Sequence, residues 1–155
     1  MRIVTGLEQI SSTEWLSSLL LGGVLAWVCV FDLRYFQIPD IASLGLVGAG
    51  LILSIWSSLI VPTDALLGAT VGYGVFAALG ALFFWHTGQD GLGLGDAKLL
   101  AAAGAWLGPM DLPVLVAVAA ISALSFALLT RQCRIAFGPW LAGAFWIIWM
   151  VRISA

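Results

Sequence analysis

Residues 91–108 read GLGLGDAKLLAAAGAWLG, so three alternate glycines and a carboxylate lead into a short apolar run. Apolar segments flank this stretch on both sides, in a chain of which only 9% of the residues are charged. A carboxylate is among the costliest groups to bring near hydrocarbon, and an acid in such surroundings indicates a functional site. Asp96 is therefore a candidate site residue.

The composition indicates a protein of the lipid bilayer. The 155 residues are 62% hydrophobic and their mean hydropathy is +1.10, whereas about a quarter of the residues are charged in soluble domains. A net charge of -2 without a basic run argues against nucleic-acid binding. Cys29 and Cys133 form no CxxC pair and no Cys/His cluster, so we expect no disulfide, metal site or cofactor.

Six apolar segments predict an all-α, polytopic membrane protein with about six transmembrane helices in a single bundle. They comprise residues 15–31, 41–61, 65–85, 97–107, 112–129 and 135–151. Five approach the roughly 20 residues that cross a bilayer, whereas the fourth would extend only about 16 Å as a helix. The connections leave no room for a soluble domain. We therefore expect one membrane-embedded domain over residues 1–155, with 1–14 as a short non-membrane segment rather than a signal peptide.

The basic residues predict the orientation of the bundle. The first, third and fifth connections contain all of the basic residues between the helices, namely Arg34, Lys98, Arg131 and Arg134. Because cytoplasmic loops carry an excess of Lys and Arg, we expect these connections to face the cytoplasm from the inner (plasma) membrane. Arg2 and Arg152 then lie on the other side with the two termini, against this rule.

Glycines that are four residues apart indicate close helix packing. The pairs are Gly68 with Gly72 and Gly104 with Gly108. Small residues at this spacing let the backbones of membrane helices approach each other.

Asp32 and Asp96 are expected to be the deepest acids at the cytoplasmic boundary. We expect the first helix to continue through Tyr35, which leaves Asp32 about one turn inside it, while Asp96 opens the fourth helix. Two carboxyl groups in a poorly hydrated site cannot comfortably both ionise, so they share a proton. Such a pair can hydrolyse a peptide bond, with the ionised member as base and the protonated member as acid. The sequence leaves open which aspartate plays which role.

The glycines and the acids also allow other interpretations. Gly91, Gly93 and Gly95 can let an extended peptide approach the site, or they can form a flexible loop while Asp96 only caps the fourth helix. Two intramembrane acids can also form a cation or proton site in a small transporter or channel. Transporters tend to bind near the midplane between repeated halves, and the halves of this chain do not repeat.

Three blocks in order resemble the type IV prepilin peptidases, membrane aspartic proteases with a GxGD motif. The blocks are DLRYFQIPD from Asp32, GLGLGDAKLLAAAGAWLG from Gly91 and FGPWLAGAFW from Phe137. The resemblance covers residues 30–146 and implies that Asp32 and Asp96 are catalytic, in a six-helix core with a cytoplasmic active site. It also implies prepilin-like membrane protein substrates with a short basic leader, from type IV pilus or type II secretion systems.

Long members of that family carry an additional N-terminal region with paired CxxC motifs. The region is associated with methylation of the cleaved product by S-adenosylmethionine, and no CxxC occurs in these 155 residues. The resemblance therefore supports a short form that cleaves leaders, and it does not support methylation. The substrates and the oligomeric state stay open.

Further residues are candidates for substrate binding or for shaping the site. Asp40 follows Pro39, which favours an N-cap role; alternatively, Asp40 and Asp90 attract the basic leader. Lys98 points away from Asp96 on a helix, so we expect it to extend to the surface. Gly93 and Gly95 are candidates because a glycine backbone lets a substrate come close. The resemblance implies that Phe137, Gly138 and Pro139 help to line the site.

Overall fold

The computed structural model describes residues 12–57, 59–88, 93–131 and 135–154. Regular structure in these ranges is entirely helical, which confirms the predicted fold class. The six helices are α1 (Ser12–Tyr35), α2 (Asp40–Trp56), α3 (Pro62–Thr87), α4 (Leu94–Leu107), α5 (Leu112–Thr130) and α6 (Gly138–Ser154). The predictions that involve residues 1–11, Asp90, Gly91 and Arg134 lie outside the described residues.

Three of these helices are long and apolar enough to cross a membrane. They are α1 from Trp15, α3 and α5, with mean hydropathies of 2.0, 1.8 and 2.5. Many of their large apolar side chains are exposed on the outside of the bundle, as expected for helices that face lipid. α2 has 17 residues and is shorter than the apolar segment 41–61, because Ser57 leaves the helical conformation with φ -110° and ψ 143°.

α4 is the short fourth helix that the sequence predicted, and it lies in the centre of the bundle. It has 14 residues, and every residue from Leu99 to Leu107 is buried. Contacts with α2, α3, α5 and α6 surround it. A helix of this length extends about 21 Å, so α4 reaches across only part of a bilayer and depends on its neighbours for burial.

Glycines allow α3 and α4 to approach closely. A Cβ atom at Gly68 would overlap the carbonyl oxygen of Gly104, and a Cβ at Gly104 would overlap that of Gly68. A Cβ at Gly72 would lie 2.6 Å from the carbonyl oxygen of Leu100. The predicted close packing at these glycines is confirmed, and it fixes where α4 lies along α3.

Two buried tryptophans connect the central helix to its neighbours. The indole N–H of Trp106 donates to the carbonyl oxygen of Leu46 in α2, at 2.8 Å. The indole N–H of Trp149 in α6 donates to Ser18 Oγ in α1, at 2.9 Å. The two rings meet edge to face, with centroids 5.1 Å apart. Both buried donors are thus satisfied, as a core with tryptophan requires.

Arg152 joins three segments at the end of the bundle where α4 terminates. Its guanidinium donates to the carbonyl oxygen of Leu107, to Asp111 Oδ2 at 3.0 Å and to the carbonyl oxygen of Leu59 at 2.9 Å. The positive charge of Arg152, which does not follow the orientation rule, is therefore paired with a carboxylate. The side chain holds the connections at this end together. Its position at this end of the bundle therefore has a structural reason.

We predict that Gly68→Ala destabilises the bundle, because the added methyl group meets the backbone of α4. Overpacking of this kind costs about 1–3 kcal/mol, and we expect a lower midpoint of thermal unfolding in detergent. Gly74→Ala in the same helix is the matched control, since nothing lies within 4 Å of its Cβ position. Equal unfolding midpoints for the two variants would show that the α3–α4 contact does not determine stability.

Candidate active site

Asp32 lies in the last turn of α1 and is buried, with 5% of its surface exposed. The helix continues to Tyr35, as predicted. It ends because Phe36 takes a left-handed conformation with φ 52°, and the Phe36 N–H donates to the Asp32 carbonyl oxygen at 2.8 Å. A non-glycine residue in this conformation carries backbone strain, and such residues cluster at functional sites.

Asp96 lies in the first turn of α4 and is half-buried. Gly93 is the N-cap residue of this helix, and its carbonyl oxygen accepts from the Asp96 N–H at 3.0 Å. The alternative that Asp96 merely caps the helix is therefore wrong, because the capping position belongs to a residue without a side chain.

Both aspartates line one cavity of about 530 Å³. Its walls are the end of α1, the connection through Phe36 to Asp40, and the first turn of α4 with Gly93. A cavity of this volume is within the range of ligand-binding sites. Asp32 and Asp96 are 64 positions apart in the sequence and thus share one site.

The electrostatics of the cavity favour one proton on the two carboxyl groups. Asp96 lies outside the three helices of membrane-spanning length, and burial, then the negative charge of Asp32, raises its pKa to about 6. One charged carboxyl group makes ionisation of the other less favourable. A neutral and a charged carboxyl group can therefore coexist near neutral pH, which is the state that acid–base catalysis by two carboxyl groups requires.

The two described glycines of the motif have different surroundings. A Cβ at Gly95 would lie 3.0 Å from Ile38 Cβ and 3.5 Å from its backbone nitrogen. A Cβ at Gly93 would make only an ordinary contact with Asp96 Oδ2, at 3.6 Å. The backbone that approaches Gly95 is thus that of residue 38 of the same chain. Ile38 thus shapes the site, and the sequence analysis missed it. The signal in the sequence that could have found it is its position next to Pro39.

The FGP residues lie at the start of α6, and one of them contacts Asp32. The Gly138 N–H donates to Asp32 Oδ2 at 3.0 Å in a buried hydrogen bond. Phe137 packs beside Phe76 of α3, with ring centroids 6.4 Å apart, and Pro139 follows in the first turn. None of the three FGP residues is among the described residues that line the cavity. Their contribution to the site as such remains a proposal.

Lys98 and Asp40 form an ion pair at the cavity. Lys98 Nζ lies 2.6 Å from Asp40 Oδ1, and both residues line the cavity. The sequence analysis expected Lys98 to extend to the surface and named no partner for it, and its side chain is 23% exposed. The N-cap role of Asp40 is wrong, because Pro39 is the N-cap and Asp40 is the first helical residue. Local spacing could not reveal a pair that is separated by 58 residues.

The fold and the site together define a helical membrane protein whose candidate centre is a pair of carboxyl groups. The chain belongs to the type IV leader peptidase family, which it matches over residues 19–128. That span includes Asp32 and Asp96, while the FGP residues follow it.

Curated relatives named "Prepilin leader peptidase/N-methyltransferase" are similar to most of this chain. The protein of Pectobacterium carotovorum subsp. carotovorum is 38% identical over 147 residues, which are 90% of this chain and 53% of the relative. That of Aeromonas salmonicida is 40% identical over 139 residues, 85% of this chain and 48% of the relative. That of Escherichia coli K12 is 40% identical over 121 residues, which are 73% of this chain and 53% of the relative. The chain thus spans about half the length of these relatives. No solved structure gives a significant match.

We predict that the Lys98–Asp40 pair contributes little to stability. The side chains are 23% and 61% exposed, and exposed ion pairs contribute about 0–1 kcal/mol. In a double-mutant cycle with Lys98→Met and Asp40→Asn, the coupling in the free energy of unfolding should be below about 1 kcal/mol. A coupling of about 3 kcal/mol would instead indicate a pair that is buried from water.

Proposed function

We propose that this chain is a membrane aspartic endopeptidase that removes a short basic leader from prepilin-like precursors. The single observation that carries the proposal is that Asp32 and Asp96 line one cavity at one end of the bundle. Family membership and the names of the relatives support the same reaction class. The proposal is restricted to leader cleavage, since two carboxyl groups account for hydrolysis and not for methyl transfer.

The reaction follows from the protonation state of the pair. The ionised carboxylate takes a proton from a water molecule, which attacks the carbonyl carbon of the scissile peptide. The protonated carboxyl group donates to the carbonyl oxygen and stabilises the charge that develops there. Asp32 and Asp96 perform these two steps in the proposal, and the cavity between them receives the extended peptide.

The site and its surroundings support the proposed substrate class. The cavity lies at the end of α1 beside exposed apolar helix surfaces, so a hydrophobic helix that lies in the lipid can bring an adjoining extended segment to the acids. Type IV pilin and type II secretion pseudopilin precursors are the proposed substrates. Gly93, Gly95, Lys98, Asp40 and the FGP residues are proposed to shape the site.

The proposed location is the inner membrane, with the cavity facing the cytoplasm. Arg34 follows Asp32 in α1, Lys98 lines the cavity, and Arg131 ends α5 in the connection that returns to Gly138 beside Asp32. These three basic residues therefore share the end of the bundle with the candidate acids. The positive-inside rule supports a cytoplasmic location for that end.

A transporter or channel remains the alternative from the sequence, and the position of the acids does not favour it. Asp32 lies in the last turn of α1 and Asp96 in the first turn of α4. Binding groups of transporters lie near the midplane, at interrupted helices between repeats.

We predict that Asp32→Asn and Asp96→Asn each abolish cleavage of a co-expressed prepilin-like substrate. An amide can neither accept the proton of the water nor act as a carboxylic acid, so the loss should exceed about 100-fold. The shortened product can be followed by gel electrophoresis, with the amount of folded enzyme measured in parallel. Asp64→Asn is the control, because this exposed residue lies in the first turn of α3 beside a different cavity. Efficient cleavage by either site variant would remove that aspartate from catalysis.

We predict that Asp40→Asn weakens processing mainly at low ionic strength. Its side chain is 61% exposed although it is paired with Lys98, so its charge can still attract a basic leader through water. Salt screens such attraction over about 10 Å at 0.1 M. The rate of cleavage at limiting substrate should fall at low salt and approach the wild-type rate at high salt. If the ratio of the variant rate to the wild-type rate were the same at all salt concentrations, attraction of the leader by Asp40 would be refuted.

A further inference from the structure

The hydrogen bond from Gly138 to Asp32 joins the start of one helix to the end of another. The donor is a backbone N–H, the acceptor is a carboxylate oxygen 3.0 Å away, and the bond is buried. The two residues are 106 positions apart in the sequence. Because the donor is part of the main chain, substitution at residue 138 alters its position without removing it.

The local structure leaves this N–H available for a side chain. The Phe137 carbonyl oxygen accepts from Trp140 and Leu141, both at 3.1 Å, so Phe137 stands at the N-cap position and Gly138 is the first helical residue. The first N–H groups of a helix have no acceptor within it. Pro139 has no N–H at all, so it brings no competing donor.

Only glycine fits at this position. A Cβ atom at residue 138 would lie 2.5 Å from Asp32 Oδ2 and 3.0 Å from its Cγ. Any side chain would therefore push the carboxylate away from the backbone donor. The absence of a side chain is what allows a short, direct contact with a catalytic candidate.

The contact also offsets an unfavourable position of Asp32. In the last turn of α1 the carboxylate lies near the partially negative end of the helix dipole, which disfavours an anion. The start of α6 supplies the opposite, partially positive end. A hydrogen bond from a backbone N–H to a carboxylate favours its ionised form.

We infer that Gly138 is a positioning residue whose backbone N–H holds Asp32 and favours its ionised form, so that Asp32 is the general base and Asp96 the general acid. This assignment rests on the proposed peptidase function. It deepens that proposal by giving the two acids different roles, which the sequence left open.

Each proton has a defined path in this assignment. The water oxygen bonds to the carbonyl carbon as Asp32 takes one proton of the water, and Asp96 transfers its proton to the carbonyl oxygen. When the intermediate collapses, the C–N bond breaks and the proton on Asp32 passes to the leaving nitrogen. A hydroxyl proton of the intermediate returns to Asp96, which restores both groups.

Other groups around Asp32 do not account for the asymmetry. Asp96 faces it from α4, and the Asp40–Lys98 pair of α2 and α4 lines the same cavity. Residues 135–139, which lead into α6, include no titratable side chain. Cys29 and Arg34 belong to α1 itself. The Gly138 N–H is therefore the contact from α6 that distinguishes Asp32 from Asp96.

The test is the pH dependence of leader cleavage by purified enzyme on a purified prepilin-like substrate. Gly138→Ala and an amide-to-ester replacement at Gly138 both weaken the contact, and the ester does so without adding a side chain. We expect the acidic limb of the kcat/KM profile to move upward by about one pH unit, since the base becomes easier to protonate. The alkaline limb should stay in place. Gly143→Ala, in open space on α6, is the control and should leave the profile unchanged.

Two results would overturn the assignment while leaving the peptidase intact. An unchanged profile in the ester variant would show that the N–H does not act on Asp32. An upward shift of the alkaline limb would make Asp32 the acid. Failure of the wild-type enzyme to cleave at any pH would instead refute the proposed function itself. The ester variant decides the question if Gly138→Ala does not fold.

Discussion

The backbone contact between α3 and α4 at Gly68 and Gly104 is the constraint on which the rest of the structure depends. Lipid supplies no hydrophobic driving force between helices, so close backbone packing must provide the attraction. Glycine on both sides brings a carbonyl oxygen of each helix against the other. α4, with 14 residues, thereby acquires a fixed position inside the bundle although it is too short to span a membrane. Because Asp96 belongs to the same helix, that packing contributes to where it lies.

The site forms where helices begin and end beside one another. α1 ends just beyond Asp32, α4 begins just before Asp96, and α6 begins at the N–H that binds Asp32. Helix starts carry a partial positive charge that lowers the cost of a buried anion. The helix start at Gly138 thus favours the anion of Asp32, while burial and the charge of Asp32 favour a proton on Asp96.

The sequence predicts features that depend on periodicity and composition, and it fails where contacts depend on tertiary structure. Glycine spacing predicts the α3–α4 contact, and the length of the first apolar segment predicts the depth of Asp32. The expected depth of Asp32 and Asp96 suggested one site for both, and the resemblance supported it, because nothing local in the sequence connects them. Capping by Asp40 was wrong because the residue before it takes that position. The Asp40–Lys98 pair and the Gly138–Asp32 bond were missed because their partners are 58 and 106 residues apart.

Different contacts hold the two ends of the bundle together, and the two candidate acids lie at one of these ends. At the far end, Arg152 binds two backbone carbonyl oxygens and Asp111, so a permanently charged group joins three segments without engaging the candidate acids. At the site end, the described contacts include one ion pair that is partly exposed and one hydrogen bond to Asp32 itself. The carboxyl groups that line the cavity change their charge and hydrogen bonding with protonation. Arg152 therefore joins segments at one end of the bundle, while the two candidate acids line a cavity at the other end.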